Sequence, residues 1–466
     1  MTFVTVLILF FAGISFSQTV IQVEASAAPG ATLMDALAYA NSGAVPDIII
    51  ELTTDGGIYY LSDSDSVDVP LTVRAAEGLT NMPVIKAADG DTVRNFFTVY
   101  NDFTLQGIVL DGKRDDGSYN LTRSHLSVEP KHAELRVNVL VKDCVLQNVT
   151  DAGDLENDTK GNPIQTVTGA LISLIKIENT TFLNFADEPI LMQKVQDTPA
   201  SVDSIVIRNC TFYNSNNSSK NQGQFTIKCD SDLGTADPEI VLENLTFYNC
   251  GTAFAIRNCP GTKVRNLIIA NVNSDAAGGN LGSIGNQGSV ISHVDTFSVS
   301  GGTFSLTDFN APGSVPGELD SATVYNLDPM FADPANGDFT VKNPELYTLA
   351  HDGGLLGDRR WADPGISAII DHSVISGIPA AFSLSQNYPN PFNPVTTIRY
   401  TLEKSSDISL KVYSISGKLV ETLYSGSKPA GEYSITWNAS DLASGVYFYK
   451  LISGTNVLTR KMILIK

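Results

Sequence analysis

The chain has 466 residues, with 50 Asp and Glu against 30 Lys and Arg and a net charge of −20. That acidity argues against a nucleic-acid partner. No apolar run is long enough to cross a bilayer as a helix, and the length suits a large repeat unit with a smaller domain attached. Residues 382–466 carry nine Lys or Arg and five Asp or Glu, so the remainder holds about −24 of the charge.

The first element is the apolar run Val4 to Ile14, followed by Ser15-Phe16-Ser17 and preceded by no Lys or Arg. It predicts a secretory signal over residues 1–17. Thr32 to Ala40 shows apolar residues at helical spacing, with Thr32 as the N-cap and Gly43 and Pro46 ending the helix. Short strand-like runs follow at Ile48-Ile49-Ile50, Gly57 to Leu61, Leu71 to Arg74 and Pro83 to Lys86. A helix placed before such runs covers the open end of a first coil, whose bare edge would otherwise template aggregation.

Between about residues 97 and 275 one phrase recurs: a β-branched run, an Asn, a short apolar step and a second Asn. Its anchors are Gly107, Asp143, Asn179, Asn209, Asn244 and Asn266, roughly 22 to 36 residues apart. Short walls joined by bends that tolerate a left-handed backbone predict a right-handed parallel β-helix, a solenoid, over residues 25–372. The residues preceding the anchors (Lys142, Glu178, Arg208, Glu243 and Arg265) alternate in sign, as a stacked column of exposed charges requires. Lys142, Arg208 and Arg265 are also the candidate substrate-binding cations of this column. Asn148, Asn179, Asn209 and Asn244 fit the glycosylation pattern, yet each falls on a repeated bend, so their expected role is structural. Cys144 and Cys210 share one place in the phrase and are expected to be buried thiols, whereas Cys229, Cys250 and Cys259 leave pairing open.

Thr150 to Thr166 is the longest excursion from the repeat, and Gly278 to Gly302 is expected to hold further coils with thin walls. Asp328-Pro329-Met330-Phe331, Asp338-Phe339-Thr340-Val341 and Gly357-Asp358-Arg359-Arg360-Trp361 come next. They resemble the closing segment of secreted β-helix proteins of polysaccharide-degrading bacteria. Residues 373–381 read as a linker. From Phe382, Gln386 to Pro394 leads into the alternating segments Thr397 to Tyr400, Ile408 to Tyr413, Tyr433 to Trp437 and Val446 to Leu451. The alternation predicts an antiparallel sandwich over residues 382–466. The order of these segments resembles the C-terminal sorting domain of type IX secretion cargo. That resemblance implies the type IX machinery as a partner and a final location outside the cell, either secreted or attached to the surface.

Lys228 and Arg257 each follow a strand-like run, one coil apart. This looks like the alginate lyase and chondroitinase B family of β-helix lyases. The resemblance implies Lys228 as the base at C5 of a uronate, Arg257 as the aid to the leaving group, and Ca²⁺ to neutralise the carboxylate. The chemistry requires an acidified α-proton, a base held near a cation, and a donor on the departing oxygen. Asn221, Gln222 and Gln224 stand where the family carries acidic calcium ligands, and Asp187 and Glu188 lie one coil earlier. A hydrolase would instead need paired carboxylates, for which Asp230 and Asp232 are the candidates. His125, His132, His293, His351 and His372 show no ligand spacing, and no organic cofactor motif is present. The expected function is binding of an acidic plant or algal polysaccharide, of the pectin or alginate type, with β-elimination as the alternative.

Overall fold

The computed structural model describes residues 6–8, 19–25, 32–43, 45, 47–120, 122–131, 135–151, 161–167, 169–192, 202–215, 225–229, 239–256, 261–272, 280–284, 289–299, 303–306, 316–367, 374–375, 383–384, 387, 390, 392–402, 406–414, 418–428, 431–440, 442, 444–453 and 456–465. The chain divides into two units, residues 1–346 with 355–362 and residues 347–354 with 363–466.

In the first unit each β-branched run pairs in parallel with its counterpart in the next coil, building a parallel β-helix with three faces. The first face starts at Thr19–Val23 and climbs through Ile48–Leu52, Leu71–Ala75, Phe103–Gln106, Val137–Lys142 and Ile172–Glu178. The second climbs through Ile58–Leu61, Val84–Ala87, Val109–Asp111, Val145–Val149 and Thr181–Phe185. From Val202–Ser215 onward, longer strands serve both faces, bending at an Asn or, in Val290–Phe297, at His293. The third face joins Asp65–Val67, Asn95–Val99, Ser124–Val128, Ile164–Thr166, Ile190–Met192, Phe225–Cys229, Thr252–Ile256, Asn280–Ile284 and Thr303–Ser305.

The repeated phrase is the pair of bends on either side of the second face. Asp143, Asn179, Asn209, Asn244 and Asn266 all have φ between 50° and 60°, and so do the second Asn of the phrase at 184, 214, 249 and 271, within a few degrees. Asn reaches this left-handed region at less cost than other non-glycine residues. Its amide also stacks: Asn179 Nδ2 donates to Asp143 Oδ1 at 2.8 Å, Asn209 to Asn179 at 3.3 Å, Asn244 to Asn209 at 3.0 Å and Asn266 to Asn244 at 2.8 Å. At the second bend Asn148 donates to Asp111 at 2.7 Å, Asn184 to Asn148 at 3.0 Å and Asn249 to Asn214 at 2.9 Å. Asp143 and Asp111 accept at the starting ends of these runs. His293, within the strand Val290–Phe297, occupies the first bend of a later coil with φ 54°.

Inside the shaft the columns are apolar. Phe182, Phe212 and Phe247 stack face to face at 4.8 and 5.1 Å, and each buried ring contributes roughly 1.5–3 kcal/mol. Cys144, Cys210 and Cys250 are free and buried. Burial pushes the Cys144 and Cys210 thiols up to about 12, which makes them inert. Cys229 and Cys259 have side chains outside the described residues, as do His132 and His372 in full.

The N-terminal end of the shaft is capped by a helix. The helix Leu33–Asn41 starts with a capping box between Thr32 and Asp35 and buries Leu33, Ala36, Leu37 and Ala40 over the first coil. Val6–Ile8, within the expected signal, pairs antiparallel with Thr19, Val20 and Ile21. At the other end, after Val324–Tyr325, the chain runs back over the outside of the second face. Phe339 packs edge-on against Tyr213, Tyr248, Phe331 and Trp361 at 4.9 to 5.7 Å. Gly357, at φ 78°, sits so close that a Cβ would lie 2.7 Å from Thr246 Oγ1. The buried Asp358 carboxylate accepts Thr211 Oγ1 at 2.7 Å and pairs with Arg360 at 2.6 Å. Arg360 in turn donates to the carbonyls of Asn179 and Thr180. This segment is a strap that ties successive coils together.

The second unit contains two antiparallel sheets. Val395–Leu402 and Gly431–Asn438 centre one, flanked by Val374–Ile375 and Ser383–Leu384. Ser406–Ser414 and Gly445–Ser453 centre the other, flanked by Leu419–Lys428 and Asn456–Leu464. Phe392, Tyr400, Trp437, Tyr449 and Met462 are among its core residues. Buried Asn387 donates to Tyr449 Oη at 2.8 Å and to Thr396 Oγ1 at 2.9 Å, fixing the segment that leads into the first sheet.

His125 lies in the core of the first unit against Phe96, its ring centroid 4.8 Å away, and neither ring nitrogen has a hydrogen-bond partner. Burial pushes its pKa down to about 3 from 6.5. The unfolded chain takes up this proton below pH 6.5 while the folded chain refuses it, so the stabilisation is complete above 6.5 and is lost as pH falls towards 3. Calorimetric unfolding between pH 7 and 4 should show His125→Leu losing less stability than the native chain, by up to about 1.4 kcal/mol per pH unit. Parallel pH dependence in the two proteins would show that His125 is protonated in the fold.

Candidate functional site

The sequence-predicted cations lie on two different faces. Lys142, Arg208 and Arg265 share one outward column of the first face, in register with Glu178 and Glu243. Glu243, only 1% exposed, holds Arg208 Nε at 2.9 Å through one oxygen and Arg265 Nε at 2.8 Å through the other. Glu178 pairs with Lys176 at 3.0 Å, and Lys142 Nζ lies 3.9 Å from Asp143. The column continues towards the N-terminus, where Glu51 accepts Gln22 at 3.0 Å and Arg74 at 2.9 Å. That extension escaped the sequence because the early coils lack the phrase.

Lys228 stands on the third face. Ile227 is buried in the core, so the alternation of the strand turns Lys228 outward, opposite Leu191 in the coil before and Ala255 in the coil after. Its side chain is 27% exposed, and Nζ lies 3.4 Å from Glu188 Oε1. Glu188 is buried at the bend before Ile190–Met192, where its backbone carbonyl accepts Asn162 Nδ2 at 2.8 Å. Asp187 Oδ1 is also buried and has no hydrogen-bond partner. Burial first, then the hydrogen bond and charge of Glu188, hold the Asp187 carboxyl well above the usual carboxylate range. The niche therefore gathers a lysine, an amide and two adjacent carboxyls. The sequence alone does not show that Asp187 and Glu188 stand beside Lys228, because the segments between rungs differ in length.

Arg257 lies outside the described residues, as do Asp230, Asp232, Asn221, Gln222 and Gln224. The strand that precedes Arg257 ends at Ile256, the register partner of Cys229. Ca²⁺ takes six to eight oxygens. Among the described residues no group of three or more His, Cys, Asp and Glu side chains gathers as a metal site. Asp187, Glu188 and Asn162 fall short of such a cage, and the Lys228 nitrogen already occupies one flank of Glu188. Two surface grooves lie elsewhere. One of about 200 Å³ runs past Thr72, Asp102, Thr104 and Asn138. The other, of about 390 Å³, lies beside the strap between Tyr248, Phe297, Met330 and Phe331.

Residues 386–466 match the family described as a secretion system C-terminal sorting domain. Residues 205–361 match a domain of unknown function, DUF5123, which spans the later coils and the strap. No curated protein matches the chain. Among solved structures, an arginine-to-alanine mutant of the PL6 family alginate lyase AlyGC is similar with a TM-score of 0.38 and 16% identity. The similarity covers 69% of this chain and 40% of that enzyme's length. The sorting domain marks the protein for type IX export, to be secreted or held at the cell surface. Among the described residues no helix is long and apolar enough to cross a membrane.

The Arg208–Glu243–Arg265 arrangement carries a stability prediction. Glu243→Ala leaves two guanidinium groups without their shared carboxylate, a loss of about 3–5 kcal/mol for a buried pair. Calorimetry of the full chain reads this as a lower unfolding temperature of the β-helix; an unchanged temperature would show that the column contributes nothing.

Proposed function

We propose that this exported β-helix protein binds an acidic polysaccharide of plant or algal origin, of the pectin or alginate type, on its third face. The observation that carries this reading is Lys228, an outward, partly exposed cation on the third face whose Nζ lies 3.4 Å from Glu188 Oε1. Such a niche offers a charge partner and a hydrogen-bond donor to a uronate carboxylate. Lys142, Arg208 and Arg265 form a second positive contribution, on the first face, where Glu243 fixes the two arginines in position. The type IX machinery delivers the shaft to where such polymers are met.

The second reading is β-elimination. Lys228 and the residue two before Arg257 are register partners, which supports a base and a leaving-group aid in successive coils. In that reaction the Lys228 amine takes the C5 proton, the C4–C5 double bond forms, and the C4–O bond breaks as Arg257 steadies the departing oxygen. Ca²⁺, which the family resemblance implies, belongs to this proposal and needs ligands beyond Asp187, Glu188 and Asn162.

An affinity gel separates the two readings. The full chain is expected to be retarded by pectate or alginate and not by a neutral glucan, and Lys228→Ala to lose most of that retardation. Lyase action adds a rise in ultraviolet absorbance from the unsaturated product, abolished in Arg257→Ala while retardation persists. Retardation without an absorbance rise leaves binding alone; migration unaffected by either acidic polymer contradicts the proposal.

A further inference from the structure

The groove beside the strap lies on the outer side of the second face, not on the third face that carries Lys228. Its floor is one column of that face, in which Tyr248, Ala270 and Phe297 follow one another in register. Tyr248 and Phe331 pack edge-on at 5.9 Å, and Phe339 packs against them at 5.4 and 5.3 Å, so this wall is fixed. Phe297, beyond the small Ala270, has no ring against it among the described residues. Met330 also lines the groove, 54% exposed and held at φ 53°. An apolar side chain in the left-handed region and in water is unfavourable on both counts. Packing within the fold does not account for it.

The rim is polar. Asn271 and Ser298 follow Ala270 and Phe297 at successive bends, each with φ 52° and an exposed side chain. Asn249 donates to Asn214 in the amide ladder of these bends, but the Asn271 side chain joins no hydrogen bond among the described residues. Asp328 Oδ1 accepts the Met330 N–H at 2.8 Å, which leaves Oδ2 to accept from a ligand. Asp328 is also the only charged side chain among the described residues of the lining. Pockets for small molecules combine aromatic walls with a few polar groups in roughly 300–1,000 Å³. At about 390 Å³ this groove is at the small end, suited to a short chain end rather than a long run of polymer.

We propose that the groove binds a neutral sugar at a branch or chain end of a polysaccharide. A pyranose has apolar C–H faces and a rim of hydroxyl groups. The faces match Phe297 and the Tyr248–Phe331 wall. The hydroxyls match Asn271, Ser298 and the free acceptor of Asp328. A uronate would set its carboxylate against Asp328 with no cation in the lining, so charge selects a neutral ring. A cation would need free ring faces, whereas Tyr248 and Phe331 already engage each other and Phe339. The site is independent of the Lys228 reading, since it lies on another face and excludes the charge that Lys228 attracts.

The Met330 methyl group reports on the groove by nuclear magnetic resonance of the full chain with isotope-labelled methionine methyls. Its signal is identified as the one lost in Met330→Leu. Methyl β-glucoside, methyl β-galactoside and methyl β-xyloside are the probes, and at least one is expected to shift it. Galacturonate should bind there at least about tenfold more weakly, and Asp328→Asn should narrow that difference. Phe297→Ala should weaken the neutral sugar by about tenfold, the effect of losing one stacking ring. A Met330 signal unmoved by all three neutral sugars overturns the inference, as does an equal response to galacturonate or full affinity in Phe297→Ala. A response to tetramethylammonium alone overturns it too, and assigns the groove to a cation. Titrations of the native chain decide the matter even where a variant folds poorly, and each of these outcomes leaves the Lys228 reading standing.

Discussion

Parallel stacking in register is the constraint on which the rest of the structure depends. Once Ile175 lies over Val139 and Ile205 over Ile175, every residue of a coil inherits a neighbour above and below it. A column then tolerates only side chains that accept their own kind or their complement at the spacing of paired strands, about 4.8 Å. Phe over Phe satisfies this by stacking and Asn over Asn by amide hydrogen bonds. Charge satisfies it by alternation, as Arg208, Glu243 and Arg265 do. The bends add a second demand, a positive φ that Asn meets with a side chain able to continue the ladder.

The same constraint separates scaffold from site. Residues inside the columns are largely committed to their neighbours: the thiols are buried, the amides are donated along the stack, and two of the three cations suggested for ligand binding share one buried carboxylate. The outer side of the second face in the later coils is occupied by the strap, whose Asp358 and Arg360 reach hydroxyls and carbonyls of several coils. The third face breaks the pattern. There Leu191, Lys228 and Ala255 succeed one another in a column that repeats neither a charge nor an amide. A lysine in such a column is not explained by stacking, which is why the niche around it is the place to look for chemistry.

Much of the scaffold was legible in the chain because its physics is periodic. The Asn bends, the buried Cys144 and Cys210, the capping role of Thr32 and the alternation of the C-terminal strands each follow from a local rule repeated at intervals. What escaped had no period. Asp358 finds Thr211 about 150 residues away in sequence, and Arg360 reaches Thr180 farther still. Segments of unequal length between rungs hid the register of the third face, so Asp187 and Glu188 could be named as candidates without being set beside Lys228. His293 takes the bend position of Asn266 inside the strand Val290–Phe297, and a His there does not repeat the Asn signature.

Export by the sorting domain and the outward Lys228 on the third face underlie the proposal of an acidic polysaccharide ligand. Differential acylation of lysines, read by mass spectrometry with and without a uronate oligosaccharide, tests that proposal most directly. Protection of Lys228, with the Lys176 and Lys263 controls on the first face labelled equally in both samples, is the expected result. Equal labelling of Lys228 with and without the sugar would contradict the account.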